Sequence, residues 1–247
     1  LKSAVKRAEE LAAISPPNPE RVEPLGPQKY ADYENWDEKT AYARAPLMTP
    51  HVKAIIDAAV SKKLIAAGFF NREAGVSSFA NSKGNFGYQR RADARLTTTV
   101  RNASGTSSGW AGKPSVRIDE ISGSDIGGRA IEKCLRWDKP MRIDPGKYTV
   151  VLEPTAVADL MNFLSFSLAA RNAEEGRSFL SRKGGGTLLG DKLFPEFINF
   201  RSDPFDRRFP TSLWSTGGIP NRRVDWITNG VVKNLFYDRY WAMKTSK

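Results

Sequence analysis

The spacing of apolar residues predicts helices in the first quarter of the chain. Apolar positions recur at helical intervals over residues 1–14, and the pattern ends at a Ser-Pro-Pro sequence, because proline lacks the amide hydrogen that a helix needs. A proline-rich connector follows, and a short helix is expected around residues 37–43. A longer helix is expected from Thr49, its N-cap, to about Lys63.

The spacing changes after Leu64 and predicts strands. Short segments of alternating apolar and polar residues run to Lys113, separated by expected turns at residues 71–73, 82–84 and 102–105. This pattern is typical of an antiparallel meander of about five strands. Its clearest turn is the Asn-Ser-Lys-Gly sequence at residues 81–84, because glycine tolerates a positive φ. A helix from Ser124 or Asp125 to Arg136 is expected next.

A linker containing Pro140, Pro145 and Gly146 predicts a boundary between two domains, residues 1–143 and residues 144–247. After it we expect a strand at Tyr148–Leu152 and a helix over residues 155–173. The helix carries a stripe of apolar residues with apolar side chains on its other faces as well, so we expect it to be buried; the stripe comprises Val157, Leu160, Met161, Leu164 and Leu168.

The last part of the chain predicts further strands and a closing helix. Strands are expected at residues 197–200, 223–228 and 231–236, and the last two flank Asn229-Gly230, a strong hairpin signal. Residues 238–243 should begin a helix.

Together these elements predict an α+β fold. N-terminal helices and an antiparallel β-meander precede a β-rich C-terminal domain with one long buried helix. The chain opens within a helix and has no initiator Met, so we expect it to be a fragment of a longer protein, incomplete at both ends.

Composition narrows the possible chemistry. The chain is 40% hydrophobic and no apolar run approaches the roughly 20 residues that span a bilayer, so no membrane segment is expected. Cys134 is the single cysteine, which excludes an internal disulfide and fits the cytoplasm; we expect it to be a small buried apolar residue. His51 is the single histidine, expected to be exposed in the first turn of a helix, and a zinc site or Ser-His-Asp triad would need one of these two residues.

The net charge of the chain is compatible with several kinds of partner. The net charge is +11, with +12 on residues 51–247 and −1 on residues 1–50. Such an excess suits an acidic protein or peptide, or nucleic acid, although the basic residues are scattered rather than clustered. An independent hydrolase that uses His51 or a pair of carboxylates is a further alternative.

Several segments, in order, resemble the TldD/PmbA (TldE) family, whose members were long described as modulators of DNA gyrase. They are SSFANSKGNFGYQRR, IGGRAIEKCLRW, GKYTVVLEP, EEGRSFLSRKGG and IPNRRVDWITNGVVKNLFYDRYWAMK. The resemblance spans essentially the whole chain and implies relatedness to metallopeptidases.

In TldD subunits of this family, the helix after GKYTVVLEP carries a His-Glu-x-x-x-His zinc motif. The resemblance places Asn162, Phe163 and Ser167 at those three positions. Asn and Ser are poor zinc ligands and Phe cannot act as a general base. The family's third ligand, a cysteine, is not matched by Cys134. The chain therefore resembles the PmbA/TldE type of subunit, with no catalytic residue and no metal of its own.

The resemblance also implies partners. A TldD-like catalytic subunit that holds the zinc, or a second copy of the chain, would complete a complex that cleaves unfolded peptides. Candidate residues for its peptide cleft or subunit interface are Ser178, Phe179, Trp214, Asn229 and Gly230. Where relatives often carry FD-x-EG-V, residues 214–219 read WSTGGI and lack both carboxylates.

Overall fold

The computed structural model describes residues 1–137, 139, 141–209 and 211–247. Pro140, one basis of the predicted linker, lies outside them. The described residues contain seven α-helices: α1 (Lys2–Ile14), α2 (Glu38–Ala41), α3 (Ala45–Ser61), α4 (Gly123–Arg136), α5 (Pro154–Ser167), α6 (Ala170–Glu174) and α7 (Arg239–Thr245). They also contain six strands: β1 (Ile65–Ala80), β2 (Phe86–Arg101), β3 (Ser108–Ser115), β4 (Phe200–Ser202), β5 (Val224–Thr228) and β6 (Val231–Val232). The predicted α+β class is confirmed.

The chain forms two compact units, each built from separate segments. The larger unit comprises Leu25–Leu152 and Arg201–Val224, and the smaller comprises Leu1–Pro24, Glu153–Phe200 and Asp225–Lys247. Each unit draws on both sides of residue 143, and the domain boundary inferred from the linker stays a prediction.

The core of the larger unit is an antiparallel sheet in the order β1-β2-β3. β1 pairs with β2 along its whole length, from Ile65 opposite Arg101 to Ala80 opposite Phe86. Residues of β2 alternate between buried and accessible positions from Ala92 to Val100, as expected for a strand with one covered face.

Helices α3 and α4 supply the apolar side chains that pack with this sheet. Ile55 of α3 and Ile126 and Ala130 of α4 join Leu96 and Val100 of β2 in one hydrophobic cluster. The side chain of Ser122 caps α4 by accepting a hydrogen bond from the Asp125 amide at 3.2 Å, next to the predicted start of the helix.

The turn between β1 and β2 matches its sequence signal. Gly84 has φ +79° and donates its amide hydrogen to the carbonyl of Asn81 at 3.1 Å. Asn85, which follows, is fully buried and lies between two loops of the larger unit: its Oδ1 accepts from the Tyr30 hydroxyl at 3.0 Å, and its Nδ2 donates to the Gly218 carbonyl at 3.4 Å.

The smaller unit has a separate core. Leu168, Ala173, Leu180, Val232 and Trp241 are buried together, which joins α6, α7 and the β5–β6 hairpin. In the hairpin turn, Asn229 and Gly230 have φ of 50° and 77°, the left-handed pair that a two-residue turn requires.

A charged residue is part of this core. Glu174 in α6 accepts hydrogen bonds from Trp241 Nε1 at 2.6 Å and Tyr237 hydroxyl at 2.8 Å, and Lys247 Nζ lies 3.6 Å away. Burial raises the pKa of Glu174, but these donors outweigh it and hold the pKa below its ordinary value. The carboxylate therefore ties α6 to the end of the chain.

Three predictions about strands and helix starts are wrong. The meander has three long strands instead of about five, because β1 continues through the polar residues 71–73, where we expected a turn, with β2 paired alongside. Tyr148–Leu152 forms no strand. α3 begins at Ala45, four residues before Thr49, so the Thr49 hydroxyl donates to the Ala45 carbonyl at 2.8 Å instead of capping the helix.

The expectation of one long buried helix is also wrong. The predicted helix over residues 155–173 divides at Leu168 into α5 and α6, and no residue of α5 is buried. No helix in the described part of the chain has the length and apolar character needed to cross a membrane.

The hairpin turn allows a test of close packing. A Cβ at Gly230 would lie 2.0 Å from the Phe194 carbonyl oxygen, whereas Gly176, at a similar φ of 78°, has no atom within 4 Å of its Cβ position. Gly176→Ala should therefore cost about 1 kcal/mol of unfolding free energy from backbone strain alone. Gly230→Ala should cost about 2 kcal/mol more, because a backbone oxygen must move. Urea denaturation measures both, and equal losses would contradict the packing.

The Glu174 network predicts a pH dependence. A carboxylate whose pKa is lowered by folding stabilises the protein above its unfolded pKa, and this contribution is lost as the pH falls through the folded pKa. Glu174→Gln should lower the unfolding free energy by about 1 to 2 kcal/mol near pH 7, and the deficit should shrink as the pH falls below about 4.5.

Thermal unfolding at a series of pH values provides the measurement. Glu196→Gln is the control, since Glu196 is exposed and pairs loosely with Lys192 at 3.6 Å; it should change stability by less than about 0.5 kcal/mol. A deficit in Glu174→Gln that does not change with pH would mean that the carboxylate charge has no role.

Candidate functional site

The helix that would carry a zinc motif is α5. Glu153 precedes it in an extended conformation and Pro154 is its first residue, where the missing amide hydrogen costs nothing. Phe163 and Phe166 are 75% and 74% exposed. Burial begins only at Leu168, so α5 presents an uncovered apolar surface.

The three positions that the sequence resemblance assigns to a zinc motif hold no suitable set of ligands. Asn162 and Phe163 are exposed, Ser167 is half-buried, and the Ser167 carbonyl accepts a hydrogen bond from the Ser178 hydroxyl at 2.9 Å. An amide, a phenyl ring and a hydroxyl do not fit zinc, which favours imidazole, thiolate and carboxylate. The described residues contain no grouping of three or more His, Cys, Asp or Glu side chains that could hold a metal ion.

Ser178 and Phe179 lie in the turn after α6, beside the end of α5. The Ser178 hydroxyl bridges this turn to α5, because it donates to Ser167 and accepts from the Leu180 amide at 3.2 Å. Phe179 is about half exposed. The turn is therefore held to the apolar helix, with one aromatic ring open to solvent.

Asn229 and Gly230 form the β5–β6 turn. Gly230 is enclosed by backbone: its carbonyl accepts from the amides of Leu193 and Phe194 at 3.0 and 3.1 Å, and its amide donates to the Ile198 carbonyl at 3.0 Å. The structure thus gives this pair a packing role within the smaller unit, and their role in a peptide cleft stays a prediction.

Trp214 belongs to the larger unit, whereas the other four candidates belong to the smaller one. Its ring packs against Phe79 and Tyr30, with centroids 5.2 and 5.7 Å away. The segment that follows turns back on itself, since the Ser215 amide donates to the Ile219 carbonyl at 2.9 Å. Two glycines with positive φ, Gly217 and Gly218, occupy this turn.

His51 differs from its prediction. It lies in the second turn of α3, half-buried, and its Nδ1 accepts a hydrogen bond from the Gly123 amide at 3.2 Å. A Cβ at Gly123 would lie 2.2 Å from the His51 carbonyl oxygen, so glycine allows α4 to start directly against α3. His51 therefore satisfies an amide at the start of α4. Cys134 is buried, as expected.

Comparison with known proteins finds a family match over the C-terminal part of the chain. Residues 145–247 match the family described as the PmbA/TldA metallopeptidase C-terminal domain. No curated protein matches the chain.

Three solved structures share the fold over nearly the whole chain. TldE from Thermococcus kodakarensis is 21% identical, with a TM-score of 0.79 over 100% of this chain and 56% of its own. A candidate modulator of DNA gyrase from Bacteroides thetaiotaomicron is 20% identical, with a TM-score of 0.83 over 99% of this chain and 57% of its own. Another candidate modulator of DNA gyrase, from Thermotoga maritima, is 18% identical, with a TM-score of 0.79 over 92% of this chain and 53% of its own.

The chain spans about half the length of these solved structures. At such identities the likeness shows a common fold. The family match covers residues 145–247, the C-terminal part of the chain.

Proposed function

We propose that this chain is a PmbA/TldE-like subunit of a TldD/TldE-type metallopeptidase complex in the cytoplasm, which degrades or processes peptides. The observation that carries the proposal is the family match over residues 145–247, which include α5. The sequence resemblance assigns Asn162, Phe163 and Ser167 to the positions of the zinc motif, and these residues do not suit zinc. The zinc would lie on a TldD-like partner, where it would activate water for peptide hydrolysis. This chain would contribute surface for the complex and for an unfolded peptide.

The uncovered surface of α5 supports a protein partner. Large patches of contiguous exposed apolar side chains are rare on soluble proteins and mark interaction sites. Phe163 and Phe166, together with half-exposed Leu160, provide such a surface. The partner of this proposal is the TldD-like subunit, and a second copy of the chain is its alternative.

The nucleic-acid alternative is not favoured. Several arginines of the larger and smaller units already pair with acidic side chains, among them Arg90 with Glu34 at 2.7 Å and Arg182 with Asp191 at 2.9 Å. A guanidinium engaged in this way is less available for phosphate. The positive net charge is more simply explained as an aid to encounter with acidic proteins or peptides.

Co-expression with the TldD-type relative from the same genome tests the proposal. We expect the two chains to co-purify, zinc to be found on the TldD-type chain, and cleavage of unfolded peptides to require both. This chain alone should contain no stoichiometric zinc after purification and should not cleave peptides. Tightly bound zinc on this chain, or a TldD-type chain that is fully active alone, would refute it.

The surface of α5 gives a sharper test. Phe163→Ser combined with Phe166→Ser should weaken the complex by at least about 100-fold, because burial of each phenylalanine is worth about 1.5 to 3 kcal/mol. Phe209→Ser is the matched control, since Phe209 is 69% exposed but belongs to the larger unit. Biolayer interferometry measures the affinities. If both variants bind like the native chain, α5 is not the interface.

A further inference from the structure

The larger unit contains a pocket that plays no part in the proposed function. It has a volume of about 240 Å³ and is lined chiefly by Glu34, Asn35, Trp36, Asp37, Arg117 and Arg207. Three separate stretches of the chain contribute to it, all within the larger unit.

Asn35 is the buried polar group of this pocket. The residue is only 8% exposed, and its backbone carbonyl is fixed by a hydrogen bond from the Ala92 amide at 2.8 Å. Its side-chain Oδ1 is buried and has no hydrogen-bond partner among the described residues. A buried carboxamide without a partner is costly, so a ligand that brings a donor would relieve that cost.

Two guanidinium groups in the pocket lining are also available. The side chains of Arg117 and Arg207 make no hydrogen bond and no ion pair with the described part of the chain. Hydrogen bonds from Thr40, and more weakly the charge of Arg117, lower the pKa of Asp37. A planar guanidinium suits a carboxylate, which it can bind through two parallel hydrogen bonds.

The two carboxylates of the lining, in contrast, already have partners. Asp37 accepts from the Thr40 amide and hydroxyl at 2.8 and 2.7 Å, where it caps α2. Glu34 accepts from both Nε and Nη2 of Arg90, the closest contact being 2.7 Å. The groups of the lining that lack a hydrogen-bond partner are therefore one acceptor, Asn35 Oδ1, and two cations, Arg117 and Arg207.

The walls of the pocket are held in place before any ligand arrives. The guanidinium of Arg90 lies over the Trp36 ring, 4.7 Å from its centroid, and the Trp36 indole donates to Glu38 at 2.9 Å. Tyr33 fixes the loop that carries Arg207, because its hydroxyl donates to the Phe205 carbonyl at 2.9 Å. Such preorganisation reduces the entropy lost on binding.

We propose that this pocket binds the C-terminal end of an extended peptide. The terminal carboxylate binds Arg117 and Arg207, and the amide hydrogen of the last peptide bond, which is adjacent to that carboxylate, donates to Asn35 Oδ1. The Trp36 ring provides an apolar wall for the last side chain.

The charge of the lining selects this ligand over phosphate. The two arginines and two carboxylates of the lining sum to a net charge of zero. A monoanion fits this balance, whereas a dianion would lie close to Glu34 and Asp37. Asn71 has a second buried, unpaired Oδ1, so it is the combination with two available guanidiniums that defines the site at Asn35.

This inference goes beyond the proposed function, because the site needs neither zinc nor a partner subunit. Isothermal titration of the purified chain with an N-acetylated tripeptide, as the free acid and as the C-terminal amide, is the test. We expect saturable one-to-one binding of the acid, binding of the amide at least about tenfold weaker, and no competition by inorganic phosphate. Equal affinity for acid and amide, competition by phosphate, or no saturable binding would overturn the proposal.

Variants locate the site. Arg207→Gln and Arg117→Gln should each weaken binding of the acid by about tenfold, through loss of a charged hydrogen bond. Arg208→Gln is the matched control, since Arg208 is the next residue but pairs with Asp206 at 2.7 Å and does not line the pocket. Thermal unfolding confirms that each variant is folded. If Arg208→Gln weakens binding as much as Arg207→Gln, the loss of affinity reflects the overall charge of the protein, and the proposed binding site is wrong.

Discussion

The larger unit depends on the pairing of β2, which forms hydrogen bonds along both of its edges. β1 follows one edge for sixteen residues, and β3 follows the other for eight. Ala92 and Ala94 are fully buried on the inner face of β2. A Cβ at Gly109 in β3 would lie 2.1 Å from the Ala130 carbonyl oxygen of α4, so small residues set the distance between helix and sheet. α4 can approach β3 this closely because Gly109 has no side chain.

The difference in length between β1 and β3 leaves part of β2 with a free edge. β3 ends opposite Ala94, and beyond that point Asn35 takes its place, because its carbonyl accepts from the Ala92 amide. The segment around Asn35 thus completes the sheet as a single bridge. The same contact that fixes its backbone holds Asn35 in the lining of the pocket, so the candidate peptide site is a consequence of how the sheet ends.

Local sequence signals predicted several elements that are set by a few neighbouring residues, namely the approximate starts of α4 and α7, the turn at Gly84 and the hairpin at Asn229. The local signal for an N-cap at Thr49 was wrong. Predictions that depend on distant partners were wrong. Alternation alone could not show that β1 would pair through residues that resemble a turn.

The apolar composition of α5 was not enough to predict whether the helix is buried, because burial also requires another part of the structure to pack against it. The segment at Val150 illustrates the same limit: it has the β-branched composition of a strand but no strand to pair with among the described residues. The pocket at Asn35 was not predictable from sequence at all. Its residues come from stretches more than 170 positions apart, and none of them forms a recognisable motif.

Two buried asparagines of the larger unit show why a missing hydrogen bond, more than burial itself, points to function. Asn85 is fully buried, and both ends of its carboxamide have partners, so it stabilises the junction of two loops. Asn35 is almost as buried, yet its oxygen has no partner. Hydrogen bonds within the chain offset the cost of burying the Asn85 carboxamide. The cost of burying the Asn35 oxygen would be offset by a ligand that donates a hydrogen bond to it. A buried amide that the fold leaves incomplete, beside two uncommitted guanidiniums, is what a site for the end of a peptide chain requires.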